Sequence, residues 1–257
     1  MNDAAPTLPP CPVCGGTTAS QDVVDFNKSC EEARGRFLPA SDITVEYARC
    51  GTCAFCFAPS MIRWRLEDFA SRVYNDDYVQ VDPDYLDVRP RGNALMLERT
   101  FQAVEADIRH LDYGGGSGLL SEILLDRGWQ SASYDVFVDR DLDLRDFGKF
   151  DLITAFEVFE HVPDPRKLVA VLASLLDEGG LVLFSTLLTD GHIVAGQSLS
   201  WWYASPRNGH ISLYSRESLT LLGASAGFRL SSFSENLHAY SRRIPPWAKH
   251  IFPADDQ

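Results

Sequence analysis

Asp112-Tyr113-Gly114-Gly115-Gly116-Ser117-Gly118 places a carboxylate ahead of three alternate glycines, a pattern that lets a turn bring its backbone close to a nucleotide. A dinucleotide turn carries a further glycine three residues after the second. That position is Leu119 counted from Gly114 and Gly116, and Ser121 counted from Gly116 and Gly118, so the pattern fails in both registers. Asp112 argues in the same direction. A carboxylate at the mouth of the turn repels a pyrophosphate but accepts hydrogen bonds from a cationic amino-acid group, which fits S-adenosyl-L-methionine. Asp135 stands about twenty residues past the glycines, where a returning crossover hydrogen-bonds a ribose diol.

Four of the six cysteines form two tight pairs, Cys11-Pro12-Val13-Cys14 and Cys50-Gly51-Thr52-Cys53. Each C-x-x-C turn offers two thiolates to one metal, and two such turns complete the tetrahedral shell of a structural zinc. The alternative is a set of unligated thiols. Cys56 also has ligand spacing from Cys53, but it sits in the apolar run 54–58, where a small buried side chain suits it. Cys30 lies alone.

His161 and His210 are the candidates for a general base, since an imidazole titrates near working pH. For His161 the alternative is a backbone hydrogen bond at the start of a helix. His210 follows Pro206-Arg207-Asn208-Gly209, expected to be a flexible stretch. His110, His192, His238 and His250 lack supporting neighbours and are expected to be structural or exposed. Trp201-Trp202-Tyr203 either stacks on an acceptor or packs internally.

The elements that must hold these groups alternate strand and helix in the manner of a doubly wound α/β sheet. One strand ends at Asp112, and the glycine turn leads to a helix ended by Gly128. A short strand near 132–134 ends in Asp135. A strand over 150–156 precedes Glu157, Glu160 and His161, a helix follows over 165–176 with Gly179-Gly180 as its stop, and an apolar strand covers 181–186. A helix over 215–227 capped by Ser215 and two strands near 228–234 and 238–241 complete the pattern. Asp112, Asp135, Phe156, Glu157 and Thr186 fall at carboxyl ends of strands, where ligands of such sheets collect. Upstream, 61–91 reads as a helical connection and lid broken at Pro83 and Pro90, and 93–107 as an amphipathic helix. The Pro245-Pro246-Trp247 tail is either draped on the core or used at a subunit contact.

Over 94–234 these residues resemble the class I S-adenosylmethionine-dependent methyltransferases. Asp112-x-Gly114-x-Gly116-x-Gly118 resembles the family's glycine loop, and Asp135 its ribose-binding acid. Phe150-Asp151 through Glu157-Val158-Phe159-Glu160-His161-Val162-x-Asp164-Pro165 resembles its segment after the fourth strand. The resemblance implies a Rossmann-like fold and a cofactor site formed by Asp112, Tyr113, Gly114, Gly116, Gly118, Asp135, Phe156 and Glu157. The cysteine-rich start, Tyr74-Asn75-x-x-Tyr78, and Arg207-Asn208-Gly209-His210-Ile211 followed by Gly227-Phe228 are similar to bacterial methyltransferases that modify sugars and other secondary metabolites. One departure is visible: 136–149 is too short for the family's usual helix and third strand, so a sheet trimmed by one strand is expected. Phe137 and Asp143 are the candidates for an adenine contact.

The expected organisation is a zinc-binding module (1–60), a helical linker and lid (61–93), a cofactor-binding core (94–241) with a substrate insertion (187–211), and a tail (242–257). At 257 residues and 45% hydrophobic content the chain can pack one full α/β domain and a small appendage. A formal net charge of −13 disfavours a nucleic-acid surface, which needs clustered lysines and arginines. No apolar run approaches the roughly 18 residues of a membrane span, and residues 1–10 lack the basic start and apolar stretch of a secretory signal. A cytoplasmic location and a small-molecule acceptor are therefore expected. Methyl transfer to a hydroxyl of a sugar or secondary metabolite leads. An RNA methyltransferase with a structural zinc, and a non-catalytic cofactor-binding protein, are the alternatives.

Overall fold

The computed structural model describes residues 8–104 and 107–253 of the chain. Parts of the sequence expectations for 1–10, for the helix over 93–107 and for the tail lie outside the described residues. In chain order the elements are β1 (Thr18–Asp25), β2 (Thr44–Cys50), β3 (Cys56–Phe57), α1 (Leu66–Arg72), α2 (Tyr78–Val81), α3 (Val88–Phe101), β4 (Arg109–Tyr113) and α4 (Leu119–Leu125). They continue with β5 (Gln130–Tyr134), β6 (Phe150–Phe156), α5 (Pro165–Leu175), β7 (Leu176–Ser185), β8 (Ser212–Leu213), α6 (Arg216–Ala224), β9 (Arg229–Ser232) and β10 (Leu237–Ser241). They divide between two compact units. The first comprises 1–75, 160–166 and 187–222, and the second 76–159, 167–186 and 223–257.

The second unit contains a six-stranded sheet in the order β5-β4-β6-β7-β10-β9. Its first four strands are mutually parallel, and β10 runs antiparallel to both β7 and β9. Leu152, Ile153 and Ala155 of β6 and Leu181 to Phe184 of β7 are all buried, which is why these central strands are largely apolar there. Ala94, Leu97 and Phe101 of α3 and Leu120 and Leu124 of α4 join Leu152, Leu181 and Leu183 in one core cluster. Ala248 and Phe252 belong to the same cluster, so the described part of the tail is draped on this core. Among the described residues 136–149 holds no strand, only turns and a 3-10 turn at Leu144–Phe147. The sheet is therefore trimmed at the β5 edge, as the short connection required. Arg109 holds that connection in place, its guanidinium donating to the Lys149 and Phe147 carbonyls.

The first unit is built on a smaller antiparallel sheet, β1-β2-β3-β8. Its fourth strand comes from residues far downstream, where Cys56 pairs with Leu213 and Phe57 with Ser212. Ser215 caps α6 as expected and does so reciprocally: Ser218 N donates to Ser215 Oγ at 3.0 Å, and Ser215 N to Ser218 Oγ at 2.9 Å.

Two expectations are corrected. Pro90 does not break a helix, because α3 begins at Val88 and Pro90 falls in its first turn, where the missing N–H has no intrahelical partner to lose. Gly179-Gly180 does not stop α5. The helix ends at Leu175 because Leu176 already pairs with Phe150, and the glycines lie in the register shift before Leu181 pairs with Leu152.

Gly223, inside α6, is in contact with the buried ring of Tyr240, and a Cβ there would overlap Tyr240 Cε1 and lie 2.9 Å from Cδ1. Phe184 and Phe228 flank that ring and leave it no room to shift. Helix propensity favours Gly→Ala by about 1 kcal/mol, but overpacking costs about 1–3 kcal/mol. Gly223→Ala is expected to lower the denaturant midpoint; an unchanged or raised midpoint would show that the ring yields.

Candidate cofactor site and metal centre

The chain leaves β4 still tied to its neighbour, because Gly114 N donates to Tyr134 O at 2.7 Å. Gly114 has φ +78°, and a Cβ there would overlap Val158 Cγ2, so both backbone and space exclude a side chain. Gly115, absent from the expected site, is as constrained. A Cβ on it would overlap Ser133 Oγ and come within 2.7 Å of Asp112 Oδ2. The alternate-glycine spacing drew attention to its neighbours, and only the approach of β5 identifies it. At Gly116 (φ +57°) the position of a Cβ is open space. Ser133 Oγ is buried without a hydrogen-bond partner among the described residues. A bare, open backbone beside an orphaned hydroxyl is a cradle for a polar ligand.

Asp112 is buried and accepts from Thr154 Oγ1 at 2.7 Å. That hydroxyl has committed its proton, so His110 Nε2, 2.9 Å from it, is the donor, and His110 Nδ1 accepts from Ser131 Oγ at 2.8 Å. His110 is thus structural, held neutral by burial that lowers its pKa to about 3. Burial raises the Asp112 pKa to about 6, with the Thr154 hydrogen bond opposing and the Asp135 charge assisting. Asp135 joins the end of β5 to the glycine turn, one oxygen accepting from Gly116 N at 3.1 Å and the other from Phe137 N at 2.8 Å. Each oxygen keeps a lone pair for a ribose hydroxyl. The Tyr113 and Tyr134 rings lie 5.6 Å apart, and Phe156 ends β6 beside the core cluster. Glu157 adopts φ +53°, a conformation unusual outside glycine, and is held there by Ser185, which donates to Oε1 at 2.7 Å and accepts from its N–H at 2.8 Å. Glu157 also acts on Arg89, a residue absent from the expected site. Burial pulls the Arg89 pKa down, while the Asp82 hydrogen bond and charge and the Glu157 charge outweigh it.

In the first unit, Cys11, Cys14, Cys50 and Cys53 bring their sulfurs within 4.8 Å of one another. The Cys11–Cys53 and Cys14–Cys50 separations are 3.7 and 3.5 Å. Four thiolates about 2.3 Å from one zinc would stand about 3.8 Å apart, so the set fits that ion. Gly16 N and Thr52 N point at Cys14 and Cys50 Sγ, each at 3.4 Å. Cys56 is fully buried outside this group, and burial pushes its thiol up to about 12.

The first unit also gathers Glu160, His161 and His210. Their rings face edge to face with centroids 4.8 Å apart for the two histidines. His210 Nδ1 donates to Tyr203 O at 2.8 Å and His161 Nδ1 to Gly209 O at 3.2 Å, which leaves Nε2 of each as the acceptor nitrogen. Tyr203 donates from its hydroxyl to Glu160 Oε1 at 2.6 Å. The expected flexible stretch before His210 is instead a buried 3-10 turn, Pro206–Asn208. Arg207 donates to Val73 O and Asn75 Oδ1, and Asn208 Oδ1 accepts from Cys30 N. The Arg207–Asn75 bond joins the Tyr74-Asn75 segment to the Arg207-Asn208 segment. Cys30 is not alone, since its sulfur lies 3.0 Å from Ser205 Oγ and 3.8 Å from His210 Nδ1. Trp201 and Tyr203 are buried, with His192 stacked 4.8 Å from Trp201. His238 bridges Ser232 and Thr186 O, and His250 donates to Thr100 O.

Among known proteins, the family described as "Methyltransferase domain" matches residues 85–232. The ubiquinone biosynthesis O-methyltransferases of Xanthomonas axonopodis pv. citri and Burkholderia thailandensis are 36% and 33% identical over 37% and 31% of this chain. The matches cover 50% and 44% of those proteins, so the chain spans about half the length of the curated relatives it matches. Among solved structures, an O-methyltransferase family protein from B. thailandensis is 17% identical, with TM-score 0.49 over 73% of this chain and 67% of that one. The 1,6-didemethyltoxoflavin-N1-methyltransferase of that organism, bound to 1,6-didemethyltoxoflavin and S-adenosylhomocysteine, is 16% identical, with TM-score 0.46 over 80% and 96%. Among the described residues no helix is long and apolar enough to cross a membrane.

The Asp112 environment has a direct check. Carbon-detected NMR titration is expected to give a midpoint near 6, and Thr154→Val, which removes the stabilising donor, is expected to raise it further. A folded pKa above the ordinary value of about 4 means that this group favours folding below about pH 4 and loses that contribution as pH rises through its folded pKa. A midpoint near 4 would contradict the burial argument.

Proposed function

The chain belongs to the methyltransferase-domain family, and from that premise we propose that it transfers a methyl group from S-adenosyl-L-methionine to a hydroxyl of a small-molecule acceptor, such as a sugar or secondary metabolite. The observation that carries this reading is the open backbone at Gly116, next to Gly115 packed against Asp112 and tied by its own N–H to Asp135. The O-methyltransferase names of the sequence relatives support oxygen as the receiving atom. When bound, the cofactor supplies an electrophilic methyl on a sulfonium that is already a good leaving group.

The chain's own residues then bind, orient and move one proton. Asp135 receives the ribose hydroxyls on its remaining lone pairs. Asp112, buried yet ionised at neutral pH, receives the ammonium of the methionine end, and Glu157, held by Ser185, borders that end. The turn Gly114 to Gly118 lets backbone rather than side chain meet the ligand. For the proton of the acceptor hydroxyl the candidate base is His210, whose Nδ1–H is committed to Tyr203 O, with His161 beside it as the second candidate. Six cysteines without a disulfide suit a reducing compartment such as the cytoplasm.

Calorimetry with S-adenosyl-L-methionine is expected to show binding that weakens as pH falls through about 6 and that is lost in Gly115→Ala and Asp135→Ala. His210→Gln is expected to retain binding and lose transfer of labelled methyl to acceptors in an extract. Binding indifferent to both cradle variants would overturn the assignment.

The four-cysteine cluster is proposed as a structural zinc site. Four protein sulfurs leave no position for a substrate, so the metal holds β1, β2 and the two turns together and takes no part in chemistry. Elemental analysis is expected to find one zinc per chain, reduced in Cys11→Ser and Cys50→Ser. Chelation is expected to lower the melting temperature; a metal-free chain of unchanged melting temperature would sink the proposal.

A further inference from the structure

Arg49 lies on β2 between Ala19 of β1 and Cys56 of β3. It is one of the residues lining a cavity of about 190 Å³, together with Thr17, Ser20, Gln21, Gly51 and Gly196. The irregularity of β1 between Ser20 and Asp22 sets Gln21 out of register, and its amide holds the 194–197 loop by donating to Val194 O and Gln197 O at 2.9 and 2.7 Å. A small space walled by strand and loop is left, with Arg49 among the residues that line it.

That side chain has an unmet donor. Arg49 Nε is buried without a hydrogen-bond partner, and among the described residues no ion pair includes Arg49. Elsewhere in this unit Lys28 pairs with Glu32, and Arg34 and Arg36 both pair with Glu31. One acidic group that feels the Arg49 charge is the buried Cys56 thiol. Burial keeps that thiol protonated against the pull of Arg49, so it supplies no counter-charge. A guanidinium does not discharge itself by losing its proton, and leaving it partly buried and unpaired is costly. Arg49 Nε is left as an unmet donor that a group from outside the chain can satisfy.

We propose that the Arg49 cavity binds a small oxyanion, the phosphoryl or carboxylate group of a small-molecule ligand. The planar fork of Arg49 matches either group with two parallel hydrogen bonds, and the Thr17 and Ser20 hydroxyls in the same wall add donors. The volume, about 190 Å³, exceeds the roughly 30 Å³ share of a single water several-fold, which leaves room for the anionic group of a ligand. The chain's net charge of −13 works against anions at long range, so the site acts by contact and holds its ligand weakly. It is independent of the methyl-donor assignment.

The test is an NMR titration of the intact protein that follows the Arg49 Nε–H resonance against inorganic phosphate, acetate and chloride at matched ionic strength. Saturable shifts with phosphate or acetate, and none with chloride, are expected, and the stronger of the two identifies the ligand class. Calorimetry with that anion is expected to show binding at least about tenfold weaker in Arg49→Gln, with Arg49→Lys retaining part of it. No saturable shift with either oxyanion, or an equal response to chloride, would overturn the proposal. The wild-type titration decides even if Arg49→Gln fails to fold.

Discussion

A carboxylate at the end of a buried parallel strand is the constraint around which the larger sheet is arranged. Asp112 cannot be left in an apolar interior without hydrogen bonds, and β4 cannot supply them from its own backbone. The donor comes from Thr154 on β6, which is oriented by His110, which is in turn met by Ser131 on β5. Three neighbouring strands therefore carry polar residues where apolar ones would pack as well. The turn that follows must pass the same carboxylate and the Ser133 hydroxyl closely enough that Gly115 tolerates no Cβ. The polar run and the glycine-rich turn are two consequences of one buried acid.

The first unit rests on a different principle, the closure of a small sheet by distant chain. Two C-x-x-C turns gather at one end of β1 and β2, and β8 completes the sheet from the other end of the sequence. Tyr47 donates to His210 O at 2.7 Å, Arg207 to Val73 O at 2.8 Å, and Asn208 accepts from Cys30 N at 2.8 Å. The Ser215 hydroxyl, besides capping α6, donates to Cys53 O. A segment expected to be an insertion serving substrate choice is thus also structural to the cysteine-rich unit. This explains why Pro206 to Asn208 is buried and ordered by bonds, where composition alone pointed to flexibility.

Periodicity and punctuation made much of the fold legible before any coordinates. The β6 run from Phe150 to Phe156 is uniformly apolar apart from Asp151 and Thr154, and it forms a strand at those bounds. The missing strand followed from counting the residues between Asp135 and Phe150, since chain length limits what a crossover can hold. Cysteine spacing singled out Cys11, Cys14, Cys50 and Cys53 because two residues between thiols is a local geometric property. Helix ends were less legible. Pro90 and Gly179-Gly180 punctuate a chain only if the neighbouring element needs them to, and that depends on where α3 enters and where Leu176 finds Phe150.

The sequence by itself determined the order of strands and helices in the larger sheet, its trimmed edge, the four-cysteine group and the carboxylate-glycine turn, because each is set by residues near one another in the chain. Only the tertiary structure decided that Gly115 rather than its neighbours meets Asp112 and Ser133, that His110 is a buried link in a hydrogen-bond run, that Cys30 lies beside His210, that distant β8 closes the smaller sheet, and that Arg49 lines a cavity with its Nε unpartnered. Each of these depends on side chains from separate strands arriving at one point. Spacing along the chain carries no record of such meetings.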